Sequence, residues 1–206
     1  MVKIKVCGMR QPQNIGDIAA LYPDYMGFIF YPPSPRFCSG SLPTLPDTIQ
    51  KVGVFVNASL QYIEERINSY QLNALQLHGD EPAAFCQQLK QAYPQLAIIK
   101  AFAIGDKAHF EPLAPYLSVT DYFLFDTKGA NYGGNGTAFN WDLLSNYPYK
   151  QPIFLSGGIG LSEIQPIKAL LSTKIPIFAL DINSKFETSP GEKEVARVRE
   201  FIKHFQ

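Results

Sequence analysis

Tyr122-Phe123-Leu124-Phe125-Asp126 runs straight into Thr127-Lys128-Gly129-Ala130-Asn131-Tyr132-Gly133-Gly134-Asn135-Gly136. Four large apolar residues, three of them aromatic, suffice for one buried strand, and that strand stops at a carboxylate followed by a glycine-rich loop. In parallel α/β sheets and barrels the carboxyl ends of the strands carry the chemistry, so Asp126 is expected to face a pocket. An aspartate at a strand end also serves as a plain turn cap. The choice between the two depends on whether other strands end in the same manner.

Outward from this stretch, short apolar segments recur along the whole chain, most of them followed by residues at helical spacing. Before it, strands are expected at Lys3 to Val6, Tyr25 to Phe30, Lys51 to Val56, Ala74 to Leu77 and Ala97 to Phe102, the last with Lys100 inside it. After it come Pro152 to Leu155 and Ile177 to Leu180. Helices are expected from near Gln13 to Leu21, from Leu60 to Tyr70 after Ala58-Ser59, and from an Asp80 cap through Phe85, Leu89 and Ala92. Weaker or shorter ones fall at Asp106 to Tyr116 and Trp141 to Ser145. A Ser-x-x-Gln pattern opens Ser162 to Leu171, a polar loop spans Ile182 to Gly191, and a final helix runs from Glu192 to His204. The prolines of Tyr31-Pro32-Pro33-Ser34-Pro35-Arg36 hold an extended loop, and the Ser- and Pro-rich residues from Phe37 to Thr48 leave the second helix short or missing. Eight strands alternating with helices or helix-like links fit the eightfold parallel (β/α)8 barrel better than an open doubly wound sheet.

The 206 residues suit one domain, with no linker or tandem repeat to divide them. A hydrophobic fraction of 46% against 17% charged residues excludes a disordered chain. Eighteen basic and eighteen acidic residues cancel, so no global field recruits nucleic acid or an anionic membrane, and an anionic ligand must be held locally. Three widely spaced cysteines, Cys7, Cys38 and Cys86, form neither a disulfide framework nor a zinc site. With no apolar run long enough to span a bilayer, the expectation is a cytoplasmic protein without a metal. The oligomeric state is not readable from the outer helices.

In a barrel, Cys7, Arg36, Asn57, His78, Asp126, Gly157-Gly158 and Asp181 all lie at or just beyond strand ends and converge on one face. Glycines after the seventh strand and the loop after the eighth suit a phosphate, because bare backbone amides can approach its oxygens. Gly133-Gly134-Asn135-Gly136 can add amides, although turns use glycine everywhere. Cys7 is either a small core hydrophobe or a thiolate that removes a proton from carbon while Asp126 supplies one to oxygen. Arg36 suits bidentate capture of a carboxylate or is a surface charge, and His78 either binds substrate or caps its loop.

A series of motifs runs in order through the chain, beginning with Lys5-Val6-Cys7-Gly8, Gly27-Phe28-Ile29-Phe30 with Ser34-Pro35-Arg36, Gly53-Val54-Phe55-Val56-Asn57 and Leu75-Gln76-Leu77-His78-Gly79-Asp80-Glu81. It continues through Asp126, Gly133 to Thr137, Phe139-Asn140-Trp141, Leu155-Ser156-Gly157-Gly158-Ile159, Asp181-Ile182-Asn183-Ser184 and Pro190-Gly191-Glu192-Lys193. By these motifs the chain resembles the phosphoribosylanthranilate isomerase family of tryptophan biosynthesis, and the resemblance covers the whole chain. It implies a cofactor-independent barrel that carries out an Amadori rearrangement on a small phosphosugar. N-(5-phosphoribosyl)anthranilate would become 1-(2-carboxyphenylamino)-1-deoxyribulose 5-phosphate. By the same resemblance Asp126 is the general acid at the ring oxygen, Cys7 the general base at C2, and Arg36 the holder of the anthranilate carboxylate. Gly134, Gly136, Gly157, Gly158, Asn183 and Ser184 surround the phosphate, with His78 and Asp181 in support. Met9-Arg10 and Asn135 depart from the usual pattern. The alternatives are another phosphosugar barrel enzyme or a barrel that binds a phosphorylated ligand without catalysis.

Overall fold

The computed structural model describes residues 1–105, 109–127 and 140–206. Eight parallel strands close into a barrel in chain order: β1 (Lys3–Val6), β2 (Tyr25–Ile29), β3 (Gln50–Phe55), β4 (Ala74–Leu77), β5 (Ala97–Ile104), β6 (Tyr122–Thr127), β7 (Ile153–Leu155) and β8 (Ile177–Ile182). The ring is sealed where the first strand meets the last, with Lys5 opposite Asp181 and Val6 opposite Ile182. The helices are α1 (Pro12–Ala19), α2 (Leu60–Tyr70), α3 (Ala83–Ala92), α4 (Ile164–Leu171) and α5 (Val195–Lys203). None of the described helices is long and apolar enough to cross a membrane.

Alternation along each strand separates two cores. Outward residues such as Ile4, Val6, Phe28, Leu75, Phe125 and Leu155 pack with the helices, whereas Val52, Ala74, Ile99, Ala101, Leu124, Phe154 and Ala179 fill the barrel. At the amino-terminal end Tyr25, Tyr122, Phe154 and Phe178 meet edge-on or tilted at centroid distances of 4.6 to 6.2 Å and form an aromatic floor. Toward the carboxyl ends the filling turns polar, with Lys5, Gln76, Asp126 and Asp181 all buried.

Local chemistry accounts for the helices that form. Ser59 accepts a hydrogen bond from Tyr62 N–H and starts α2, Ile63, Ile67 and Tyr70 give it a buried face, and Gln71 ends it in the left-handed region. Between β2 and β3 no helix forms, as the prolines and serines there predict. Glu111–Tyr116 and Trp141–Asn146 are 3-10 turns, the first containing Pro115, which supplies no amide for an α-helical ladder.

Several boundaries differ from expectation. The residue preceding α3 is Pro82, and Asp80 donates its own N–H to Asn57 instead of capping. Ser162 lies in a 3-10 turn and donates to Glu163, so the Ser-x-x-Gln pattern does not act as a capping box. Residues assigned to a polar loop and to the start of the last helix instead extend β8 to Ile182, make a 3-10 turn at Ser184–Phe186, and form a hairpin of β9 (Glu187–Ser189) and β10 (Glu192–Lys193). The expected helix from Asp106 begins in part outside the described residues.

Candidate active site

Cys7 follows β1 directly and is buried, 4% exposed, on the inward side of the barrel. Gly8 beside it has φ +75°, and a Cβ there would stand 2.7 Å from Asn183 Oδ1 and 2.8 Å from Arg36 Cδ. Only glycine leaves room for those two side chains over the first strand. Gly27 of β2 is similarly constrained, since an added Cβ would meet Cys7 Sγ at 2.7 Å and Lys5 Cε at 3.2 Å.

Across the mouth, Asp126 ends the inward row of β6. Its Oδ1 accepts the N–H of Thr127 at 2.8 Å, and its Oδ2 lies 3.5 Å from His78 Nε2. Gln76 Nε2 and His78 Nδ1 lie 2.7 Å apart in a hydrogen-bonded contact that anchors the imidazole, with its Nε2 edge toward the carboxylate. Gly157, at φ +84°, brings its backbone against this group: a Cβ would stand 2.9 Å from Asp126 Oδ1 and 2.7 Å from Thr127 N. Gly158 follows at φ +65°.

Asp181 joins the two sides. Its Oδ1 accepts from Lys5 Nζ at 2.9 Å, its charge acts on Cys7 at one side, and it feels the charges of Asp126 and His78 from the other. Burial pushes the Cys7 thiol up, and the Lys5 ammonium works against that push. Burial also penalises the Lys5 ammonium, but Asp181 and Cys7 more than compensate, so Lys5 stays charged with its pKa above the ordinary value.

Arg36 is directed into the same mouth by its proline-rich loop and is gripped by Glu187 of β9. Its Nε donates to Oε1 and Oε2 at 2.9 and 3.1 Å, and its Nη2 to Oε2 at 2.7 Å. Glu187 also accepts from the buried Lys193, whose ammonium donates in addition to Asn183 Oδ1 at 2.8 Å. Burial opposes ionisation of Glu187, yet the two cations prevail and hold its carboxyl below the ordinary range. Asn14 of α1 clamps the Lys193 backbone in both directions at 2.8 Å, which fixes the hairpin to the barrel.

The structure therefore brings Cys7, His78, Asp126, Asp181 and Arg36 to one end, as the strand-end pattern predicts. Gly157 adjoins Asp126, and Gly158 follows it in the same turn. The Asn183 side chain does not turn toward these glycines; it lies with Lys193, Arg36 and Gly8. Ser184 opens the 3-10 turn after β8, and Gly134 and Gly136 lie outside the described residues. Cys38 and Cys86 are buried away from the mouth. Among the described residues no group of three or more His, Cys, Asp or Glu is arranged to hold a metal ion.

Lys5, Gln76, Glu187 and Lys193 were not singled out as site residues from the sequence. Lys5 had a usable signal: both faces of a barrel strand are covered, so a lysine in mid-strand must be buried and paired. Glu187 had none, because it sits in what reads as a polar loop, and Lys193 falls at what reads as the start of the last helix.

Residues 4–204 match the family model described as N-(5'phosphoribosyl)anthranilate (PRA) isomerase. The N-(5'-phosphoribosyl)anthranilate isomerase of Parabacteroides distasonis is 44% identical over 208 residues, 97% of this chain and 91% of that protein. The crystal structure of phosphoribosyl anthranilate isomerase from Thermus thermophilus superposes with a TM-score of 0.83 at 25% identity, covering 98% of each chain. A phosphoribosyl anthranilate isomerase in complex with reduced 1-(o-carboxyphenylamino)-1-deoxyribulose 5-phosphate has a TM-score of 0.78 at 29% identity, covering 99% of this chain and 98% of that one.

Proposed function

The chain belongs to the N-(5'-phosphoribosyl)anthranilate isomerase family, and on that premise we propose that Cys7 and Asp126 are its general base and general acid. The enzyme is an isomerase of tryptophan biosynthesis that converts N-(5-phosphoribosyl)anthranilate into 1-(2-carboxyphenylamino)-1-deoxyribulose 5-phosphate. Asp126 gives a proton to the ribose ring oxygen as the ring opens to an imine. Cys7 then takes the proton from C2, and the resulting enolamine collapses to the ketose.

The observation that carries this assignment is geometric: Cys7 closes the inward row of β1 and Asp126 that of β6, and both side chains are buried at the carboxyl-terminal mouth of the closed barrel. Acid and base therefore share one mouth, as a reaction at the ring oxygen and at C2, the two ring neighbours of C1, requires. Arg36 receives the anthranilate carboxylate through Nη1, the edge that Glu187 leaves open. Gly157 and Gly158, with the backbone of Asn183 and Ser184 and the loop holding Gly134 and Gly136, take the phosphate through main-chain amides. His78 orients Asp126. The same reading gives one barrel domain over residues 1–206, acting in the cytoplasm on a small phosphosugar without cofactor, metal, nucleic acid or membrane.

The test follows the fluorescence of phosphoribosylanthranilate with purified protein in buffer free of metal and nucleotide. Asp126→Asn and Cys7→Ser are each expected to lower kcat by about 10²- to 10⁴-fold with the circular dichroism spectrum unchanged. Undiminished turnover in either folded variant removes that residue from the mechanism.

A further inference from the structure

Lys5 is fully buried inside the barrel, in the same inward row as Cys7 and two residues before it. Burying an ammonium costs several kcal/mol even after relaxation, and a buried ion pair is often no more stabilising than apolar residues of the same volume. Core filling alone therefore gives no reason for a lysine at this position. The Lys5 ammonium donates to Asp181 at 2.9 Å, and this pair sits at matched register on neighbouring strands. The end of the lysine chain and the Cys7 sulfur border the same space, which β2 keeps clear by placing Gly27 there.

We infer that Lys5, locked in place by Asp181, is a positioning residue that supplies the positive charge against which Cys7 gives up and regains its proton. The inference rests on the reading of Cys7 as the general base. A buried thiol is a poor source of thiolate, because burial pushes its pKa up. Several charged groups bear on this sulfur. Lys5 on its own strand and Lys193 of β10 favour the thiolate, and Asp181 of β8 opposes it. Arg36 approaches over Gly8, while Asp126 and His78 face Asp181 from across the mouth. Lys5 is the strongest of the influences that favour the thiolate.

The charge inventory holds on both sides of the proton transfer. When the C2–H bond breaks, the proton goes to sulfur, the C–H electron pair becomes the C1–C2 double bond, and the former imine π pair moves to nitrogen. Before the step the Lys5 ammonium faces a thiolate and a carboxylate. After it, the ammonium still has Asp181, so the lysine is never left as an isolated buried charge.

The experiment measures kcat/KM against pH for the wild type, for Lys5→Met/Asp181→Asn and for Asp181→Asn. The ascending limb reports the base in the free enzyme. The double variant removes both charges at once and leaves neither partner buried alone. Its ascending limb is expected to move up by roughly one pH unit or more, about a tenfold loss on the acid side, with a much smaller change on the alkaline side. Asp181→Asn deletes the opposing charge while its amide oxygen can still accept from Lys5 Nζ, and it is expected to move the limb down. The pH dependence of Cys7 alkylation, read on the Cys7 peptide by mass spectrometry, should shift in the same directions.

A limb that stays put in the folded double variant overturns the inference and leaves Lys5 a structural residue. If the double variant does not fold, the limb is read in Lys5→Gln, which keeps a donor for Asp181 without the charge, and an unmoved limb there has the same consequence. Full turnover in Cys7→Ser would instead overturn the assignment of the base itself, so the two failures are told apart.

Discussion

Gly157 shows how much of the site is set by what a residue lacks. Its positive φ and its approach to Asp126 Oδ1 and Thr127 N exclude any side chain. Gly157→Ala is expected to push Asp126 away from His78 and to lower kcat at least tenfold, at a stability cost of about 1–3 kcal/mol. Steady-state kinetics beside a thermal melt would separate the two effects; an unchanged kcat would mean that the contact is incidental to catalysis. At this scale the sequence is readable where a residue type stands out against its neighbours. Asp126 after four apolar residues and Cys7 before Gly8 were both legible. The grip of Glu187 on Arg36 was not, because it joins residues 151 positions apart and only the closed barrel makes them neighbours.

Lys100 illustrates the scale of the element. It lies on the outward face of β5 and donates to the carbonyl oxygens of Leu77, Gly79 and Ala101 and to Glu81 Oε2. Glu81 in turn accepts the N–H groups of Asn57 and Gly79. One buried ion pair thus ties the ends of β3 and β4 and the turn into α3 to the next strand, and holds the segment that carries His78. Lys100→Met would leave Glu81 buried without its cation and is expected to destabilise the fold by about 3–5 kcal/mol, measured by urea denaturation. A loss below about 1 kcal/mol would show that the turn stands without the pair. The strands themselves were legible because their apolar runs are short and bounded. The element ends were less so: Asp80 and Ser162 carry the chemistry of caps, but the chain reaches α3 and α4 by turns that use them otherwise.

For the whole molecule, aromatic packing and buried charge occupy opposite ends of the barrel. The aromatic floor of Tyr25, Tyr122, Phe154 and Phe178 fills the amino-terminal end, and the charged residues occupy the other. Phe154→Ala is expected to cost about 3–5 kcal/mol while kcat of the folded fraction stays within a few-fold of wild type. A kcat that collapses in parallel would deny this division. The eightfold architecture was legible because eight strands alternating with helices or helix-like links suit a closed barrel better than an open doubly wound sheet. The loss of a regular helix after β2 was legible from its prolines, whereas the β9–β10 hairpin that braces Arg36 was hidden in polar sequence.

The seam between β1 and β8 also has a bearing on how the protein comes into being. Lys5 and Asp181 are 176 residues apart, so a ribosome synthesises the lysine long before its counter-ion. Until β8 emerges, the nascent chain cannot bury that ammonium beside its carboxylate. Fragments ending ahead of Asp181 should therefore be inert, and the surroundings of the Cys7 sulfur are completed only as the circle of strands is joined.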